Sequence, residues 1–171
     1  MLGLYENFPA NIHRVDTFVS SLPARKLQPK LIQVLKDVNR RTFTFEEAGN
    51  PTLPDCTVIF EVGVADAGSF SFLNEEEAAR VLDAVNREPL KVLDFFCAIR
   101  YYRSKAGKKT PLKFDYYMTR LVFGRENTLE FQVFHERGPR YISPEDLVAF
   151  LVKKINEASA RKILKPAEPA A

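Results

Sequence analysis

Residues 90–137 read LKVLDFFCAIRYYRSKAGKKTPLKFDYYMTRLVFGRENTLEFQVFHER, and this stretch decides the fold. Three runs, roughly 91–103, 112–123 and 128–137, are rich in Phe, Tyr, Val, Ile and Thr, which suit a pleated surface. The short polar connections RSKAGKKT and 124–127 leave antiparallel hairpins as the way to pair neighbours. The stretch is a three-strand meander.

Working upstream, 56–65 alternates Val58, Phe60, Val62 and Val64 with Thr57, Ile59, Glu61 and Gly63, the period of a half-buried strand. Asp66-Ala67-Gly68 turns the chain into a short strand over 69–73, and Asn74 caps a helix to about 86. Three glutamates in its first turn complement the helix dipole. A further helix is expected over 29–41, with Pro29 in the first turn and Leu31, Ile32, Leu35 and Val38 inward. EEAGNPTLPDC between them reads as loop, broken by Gly49-Asn50-Pro51 and Pro54. Residues 1–23 read as an arm laid over the domain, with a short strand around 12–18.

Downstream, Ser143 caps a last helix, with Pro144 at its first position and Leu147, Val148, Leu151, Val152 and Ile155 facing inward. The expectation is a single α+β domain over 1–157: a mainly antiparallel sheet of about five strands with about three helices, mainly on one face. Residues 158–171 are expected to fray.

The whole chain has 171 residues, enough for one core, and its 46% hydrophobic and 27% charged residues are ordinary for a globular protein. No apolar run reaches the roughly 20 residues that span a bilayer, and MLGLYENFPANIHR has neither a basic leader nor an apolar segment. Cys56 and Cys97 are too far apart in sequence for a CxxC site. These features predict a cytoplasmic protein with no membrane partner.

The formal charge of +3 conceals a strong polarisation. Residues 25–41 carry six basic side chains and one acid, and residues 100–113 carry six basic side chains and none. Those segments sum to +11, so the remainder carries 3 − 11 = −8. A lysine-rich loop docks on phosphate by releasing condensed counterions, and Tyr101 and Tyr102 at its stem could stack on bases. The expected nucleic-acid-binding residues are Arg100, Tyr102, Arg103, Lys105, Lys108, Lys109 and Lys113 on the hairpin, with Lys30, Arg40 and Arg41 on the basic helix. A solvated, solubilising loop is the competing account.

Pairing Arg100 with Asp115, and Val122 with Leu129, sets Cys97, Ile99, Tyr101, Tyr116, Met118, Val133 and His135 on the helix-bearing face. The other face then carries Phe96, Tyr117 and Phe134, an aromatic surface that needs a cover, a partner or a ligand. Its carboxylates, Glu61, Asp94, Asp115, Glu130 and Glu136, would turn phosphate away and lack the convergence a metal pair needs. In this register Arg120 falls on the apolar face, where it bulges outward, pairs with a carboxylate, or lines an anion pocket with Tyr116 and His135.

Neither histidine, His13 nor His135, sits in a nucleophile or metal motif, and no phosphate-cradling glycine motif occurs. The sequence therefore predicts no catalytic residues, no cofactor and no metal. The favoured expectation is a non-catalytic nucleic-acid-binding accessory protein, RNA ahead of DNA, using the basic hairpin and helix. The alternative is a protein-interaction or homodimerisation module on Phe96, Tyr117 and Phe134, and the third is an anion pocket at Arg120.

Overall fold

A computed structural model describes residues 1–49 and 53–167 of the chain. In chain order the elements are β1 (Arg14–Ser20), α1 (Ala24–Val38), β2 (Thr42–Thr44), α2 (Phe45–Ala48), β3 (Cys56–Asp66), β4 (Ser69–Phe72) and α3 (Glu75–Arg87). They continue with β5 (Val92–Lys105), β6 (Lys108–Pro111), β7 (Asp115–Phe123), β8 (Thr128–Arg137), α4 (Pro144–Glu157) and β9 (Leu164–Pro166). Among the described residues this is an α+β fold with a single nine-stranded sheet and four α-helices.

The strands pair antiparallel in the order β2-β3-β5-β7-β8-β1-β9, with β4 on β3 and β6 on β5. The meander thus sits in the middle of the sheet. Of the four strands beyond the expected five, β1 matches the short strand expected around 12–18, while β2 and β9 are only three residues long and β6 is KKTP. Such segments pair through backbone alone and show no apolar period to read.

One face of the sheet bears the core. Val58, Phe60 and Val62 of β3, Leu93, Phe95, Cys97 and Ile99 of β5, and Phe131 and Val133 of β8 are buried there. Leu31 and Leu35 of α1 and Leu151 and Ile155 of α4 close over Phe95, Leu121 and Phe131, while α3 packs on α1. Helix α3 follows its sequence signals closely, with the Asn74 side chain accepting the Glu77 N–H at 2.9 Å. Likewise Ser143 accepts the Asp146 N–H at 3.0 Å at the start of α4.

Three sequence expectations are corrected. Helix α1 begins at Ala24 and carries Pro29 inside it, because Leu27 and Gln28 are buried and the Gln28 amide bonds both the N–H and the C=O of Leu90. Tertiary contact there outweighs the one helical hydrogen bond that proline removes. A helical turn occupies 45–48 of the expected loop, and Asn50 and Pro51 lie outside the described residues. The expected fraying of 158–171 does not hold for its described part, because Ile163 and Leu164 enter the core. Their N–H groups bond the Asn156 side chain at 3.0 and 2.7 Å, and β9 pairs with β1. No helix among the described residues is long and apolar enough to cross a membrane.

The register of the meander differs from expectation by one residue. Ile99 pairs with Asp115, Ala98 with Tyr116 and Cys97 with Tyr117, so every β7 side chain exchanges faces. Asp115, Tyr117, Thr119 and Leu121 point to the helices, whereas Tyr116, Met118, Arg120 and Val122 share the opposite face with Phe96 and Phe134. The cause is the demand of a buried carboxylate. Asp115 is fully buried and accepts from the Tyr101 hydroxyl at 2.5 Å, the Arg140 N–H at 2.6 Å and the Tyr141 N–H at 2.9 Å. His135 Nε2 lies 2.8 Å from Oδ1, the oxygen that also accepts the Arg140 N–H, while Tyr101 and Tyr141 bond Oδ2. A β-bulge at the β7–β8 pairing, between Tyr116 and Tyr117, restores the match to Arg137.

Candidate functional site

The helix-free face is built in cross-strand rows. Gly63 of β3 lies against Phe96 so closely that a Cβ there would fall 2.2 Å from the ring. Next comes the row Glu61–Ala98–Tyr116–Arg137, read from strand-to-strand partners. After it stand Ile59 and Arg100, then Thr57, Tyr102 and Pro111.

Half of this face is covered by the chain itself. Residues 1–12 cross it, beginning where β3 and β5 part beyond Val62 and Cys97. Gly3 fills that gap, donating its N–H to Ala65 and accepting the N–H of Asp94 (2.7 and 2.6 Å). Its φ of 86° and the Val92 carbonyl 2.7 Å from where a Cβ would stand both demand glycine. Further along, the Tyr5 ring packs on Phe70 at 4.6 Å, Phe8 lies under the Arg120 guanidinium at 4.4 Å, and His13 stacks on Phe134 at 4.8 Å.

The other half is open. A groove of about 370 Å³ is lined by Phe72, Phe96, Tyr102, Phe114 and Tyr116, with Arg100, Arg137 and Glu61 among them. It exists because Ala98 is small amid aromatic neighbours. The Phe96 and Tyr116 rings stack at 5.2 Å along its floor. Phe72 and Phe114 are its exposed flanks, 41% and 44% accessible, and each carries an arginine: Arg40 over Phe72 and Arg137 over Phe114, both at 5.6 Å. Burial, with Glu136 adding to it, pushes the Tyr116 phenol up to about 12, so it stays a neutral hydrogen-bonding group at ordinary pH.

Two of the five carboxylates expected to repel phosphate here are withdrawn from the surface. Asp94 is fully buried in an ion pair with Arg120, and Asp115 lies on the opposite face. Glu61, Glu130 and Glu136 remain: Glu61 Oε1 lies 3.0 Å from Arg100 Nε, Glu130 accepts from the Gln132 side chain at 2.6 Å, and Glu136 is exposed near Tyr116. The basic hairpin projects beyond this end of the sheet as β5 and β6, turning through Ala106 and Gly107. Arg103, Lys105, Lys108, Lys109 and Lys113 are all exposed. Among the described residues the hairpin's one ion pair is that of Arg100 with Glu61.

Of the expected nucleic-acid residues, Arg100 and Tyr102 line the groove and Arg40 reaches its rim; the other five hairpin cations lie exposed beyond it, with Arg103, Lys105 and Lys108 on the helix-side face of the hairpin. Lys30 and Arg41 do not join them. Helix α1 packs on the other face, and Arg41 turns to Phe43 in the helix-side core. The aromatic set Phe96, Tyr117 and Phe134 is divided: Tyr117 is buried among the helices, its hydroxyl donating to the Ile142 carbonyl, and Phe134 lies beneath His13. The pocket of Arg120, Tyr116 and His135 is not assembled, since Arg120 pairs with Asp94 and His135 lies across the sheet. Phe72, Phe114 and Arg137 were missed as a set. Their only sequence signal is alternation in SFSF and an unpaired phenylalanine after Lys113.

A second hollow, about 590 Å³ between β1, β9 and α4, is lined by Arg14, Lys153 and Lys162 against Asp16, Glu145 and Glu157. Equal numbers of each sign give it no preference for a charged ligand. Among the described residues no group of three His, Cys, Asp or Glu is placed to hold a metal ion.

No protein-family model, curated protein or solved structure matches this chain.

Proposed function

We propose that the protein binds single-stranded nucleic acid in the groove of the helix-free face, with phosphates carried by the basic hairpin. The observation that supports this is the nearness of two features at one end of the sheet, an aromatic groove and a basic hairpin. Phe72, Phe96, Tyr102, Phe114 and Tyr116 line a concave groove, and the hairpin that projects beyond it bears five exposed cations, Lys109 on the groove's face and Arg103, Lys105 and Lys108 on the other. Aromatic rings stack on any base, and a cationic arm follows the backbone; together they suit a strand whose bases are unstacked. RNA comes ahead of DNA because its recognition centres on single-stranded loops and ends. A reducing, cytoplasmic setting belongs to the same proposal, since both cysteines are buried and free.

The test is fluorescence anisotropy with labelled single-stranded RNA and DNA of about eight nucleotides. With four or five phosphates neutralised, affinity should fall roughly 50- to 100-fold between about 50 and 200 mM salt. Charge reversal of Lys105, Lys108 and Lys109 should flatten that dependence. Salt-insensitive self-association through Phe72 and Phe114, with no oligonucleotide bound, would replace the proposal by a homodimer interface.

A further inference from the structure

We infer that the groove seats a guanine base, read by the Glu61 carboxylate beside Ala98. This deepens, and rests on, the proposed binding of single-stranded RNA. Glu61, Ala98 and Tyr116 are successive cross-strand neighbours on β3, β5 and β7. Neighbouring strands are roughly 4.8 Å apart, so β3 and β7 stand about 10 Å from each other; in this row the side chain between them is the Ala98 methyl, with Phe96 and Arg100 on either side of it along β5. That opening has the width of a purine. The Phe96 ring, stacked on Tyr116 at 5.2 Å, and Arg100 border it along β5, with Phe72 on the β4 side and Arg137 5.5 Å from the Tyr116 ring.

The carboxylate makes the choice among bases. Glu61 is 22% exposed, and its Oε1 is held toward Arg100 at 3.0 Å, while no hydrogen bond from a protein donor occupies Oε2 among the described residues. A carboxylate offers only acceptors. Guanine alone presents two adjacent donors, N1–H and the N2 amino group, on its Watson–Crick edge. Adenine, cytosine and uracil each set an acceptor or a C–H beside their donor, and an acceptor lone pair facing Glu61 would be repelled. Leaving a polar group of the site unpaired is what rejects the wrong base.

The experiment compares oligouridine of about eight nucleotides with the same strand carrying one central guanosine or one inosine, which lacks the N2 amino group. Guanosine should bind about tenfold tighter than uridine alone, and inosine should lose most of that gain. Glu61→Gln should abolish the guanosine preference, bringing the affinities for the guanosine and uridine strands together through a loss on the guanosine strand. Its loss of affinity would run against its gain in net positive charge, a direction that general electrostatics cannot produce. If the variant fails to fold, the inosine strand still probes the same contact with the unaltered protein.

Equal binding of guanosine- and uridine-containing strands would overturn the guanine seat while leaving single-strand binding intact. No binding to any strand would remove both. Guanosine monophosphate competing as strongly as the whole oligonucleotide would show a free-nucleotide site and overturn the strand as its source.

Discussion

Asp94 and Arg120 are direct cross-strand partners that meet at two points, Nε to Oδ1 at 2.7 Å and a terminal nitrogen to Oδ2 at 2.9 Å. The same carboxylate accepts the Tyr5 N–H at 2.7 Å, so the pair also ties the N-terminal arm to the sheet. Arg120→Met leaves a fully buried carboxylate without its counter-charge. Because the guanidinium is 24% exposed, the expected loss is about 2–4 kcal/mol, below the full cost of breaking a buried pair. Urea unfolding measures it, and Asp94→Asn in the same chain should recover part of the loss. Limited proteolysis should cut residues 1–12 faster in the single variant. An unchanged midpoint would mean that the pair does not hold the arm.

Phe114 separates binding from stability. At 44% exposure its truncation to Ala should cost under about 1 kcal/mol, whereas oligonucleotide affinity should fall about tenfold if a base stacks there. Phe114→Trp should retain binding. Phe96 cannot serve as this probe, since it is buried and its removal would cost about 3 kcal/mol or more.

Alkaline pH should unfold the protein. Burial pushes the Cys97 thiol from 9.0 to about 12 and the Tyr116 phenol from 10.0 to about 12, and it raises Tyr101 and Tyr117 further in the same direction. Each group holds its proton more tightly folded than unfolded. The stability they contribute is complete below pH 9 and is lost as pH rises toward 12. Urea midpoints should therefore be level below pH 9 and fall above it. In a spectrophotometric titration, Tyr101, Tyr116 and Tyr117 should ionise only together with unfolding. Normal ionisation of all six tyrosines in the folded state would contradict the burial described.

The hairpin turn holds a non-glycine residue in the left-handed region. Ala106 and Gly107 have φ of 50° and 78°, the arrangement of a two-residue turn that matches strand twist. Ala106→Gly should stabilise the hairpin by roughly 0.5–1 kcal/mol, seen as slower amide exchange across β5 and β6. Faster exchange would show that the gain in chain entropy of the unfolded state outweighs the relieved strain.

The residues themselves determined the α+β class, the central meander, helices α3 and α4 with their caps, and the basic hairpin. Each of these is written locally, in alternation, in an N-cap and first-turn acids, or in a run of lysines. The side of the sheet to which β7 turns was not local. It depends on donors from Tyr101, His135 and the backbone of Arg140 and Tyr141 converging on Asp115, and those residues are up to 26 positions away. A one-residue slip inverted the face of Tyr116, Tyr117 and Arg120 together, which is why the aromatic patch and the anion pocket were grouped wrongly. The groove was likewise beyond sequence, since it joins Phe72 of β4, Ala98 of β5 and Phe114 before β7 around a space left by small side chains. Local chemistry decides which elements form; only the closure of distant hydrogen bonds and rings decides which side chains share a surface.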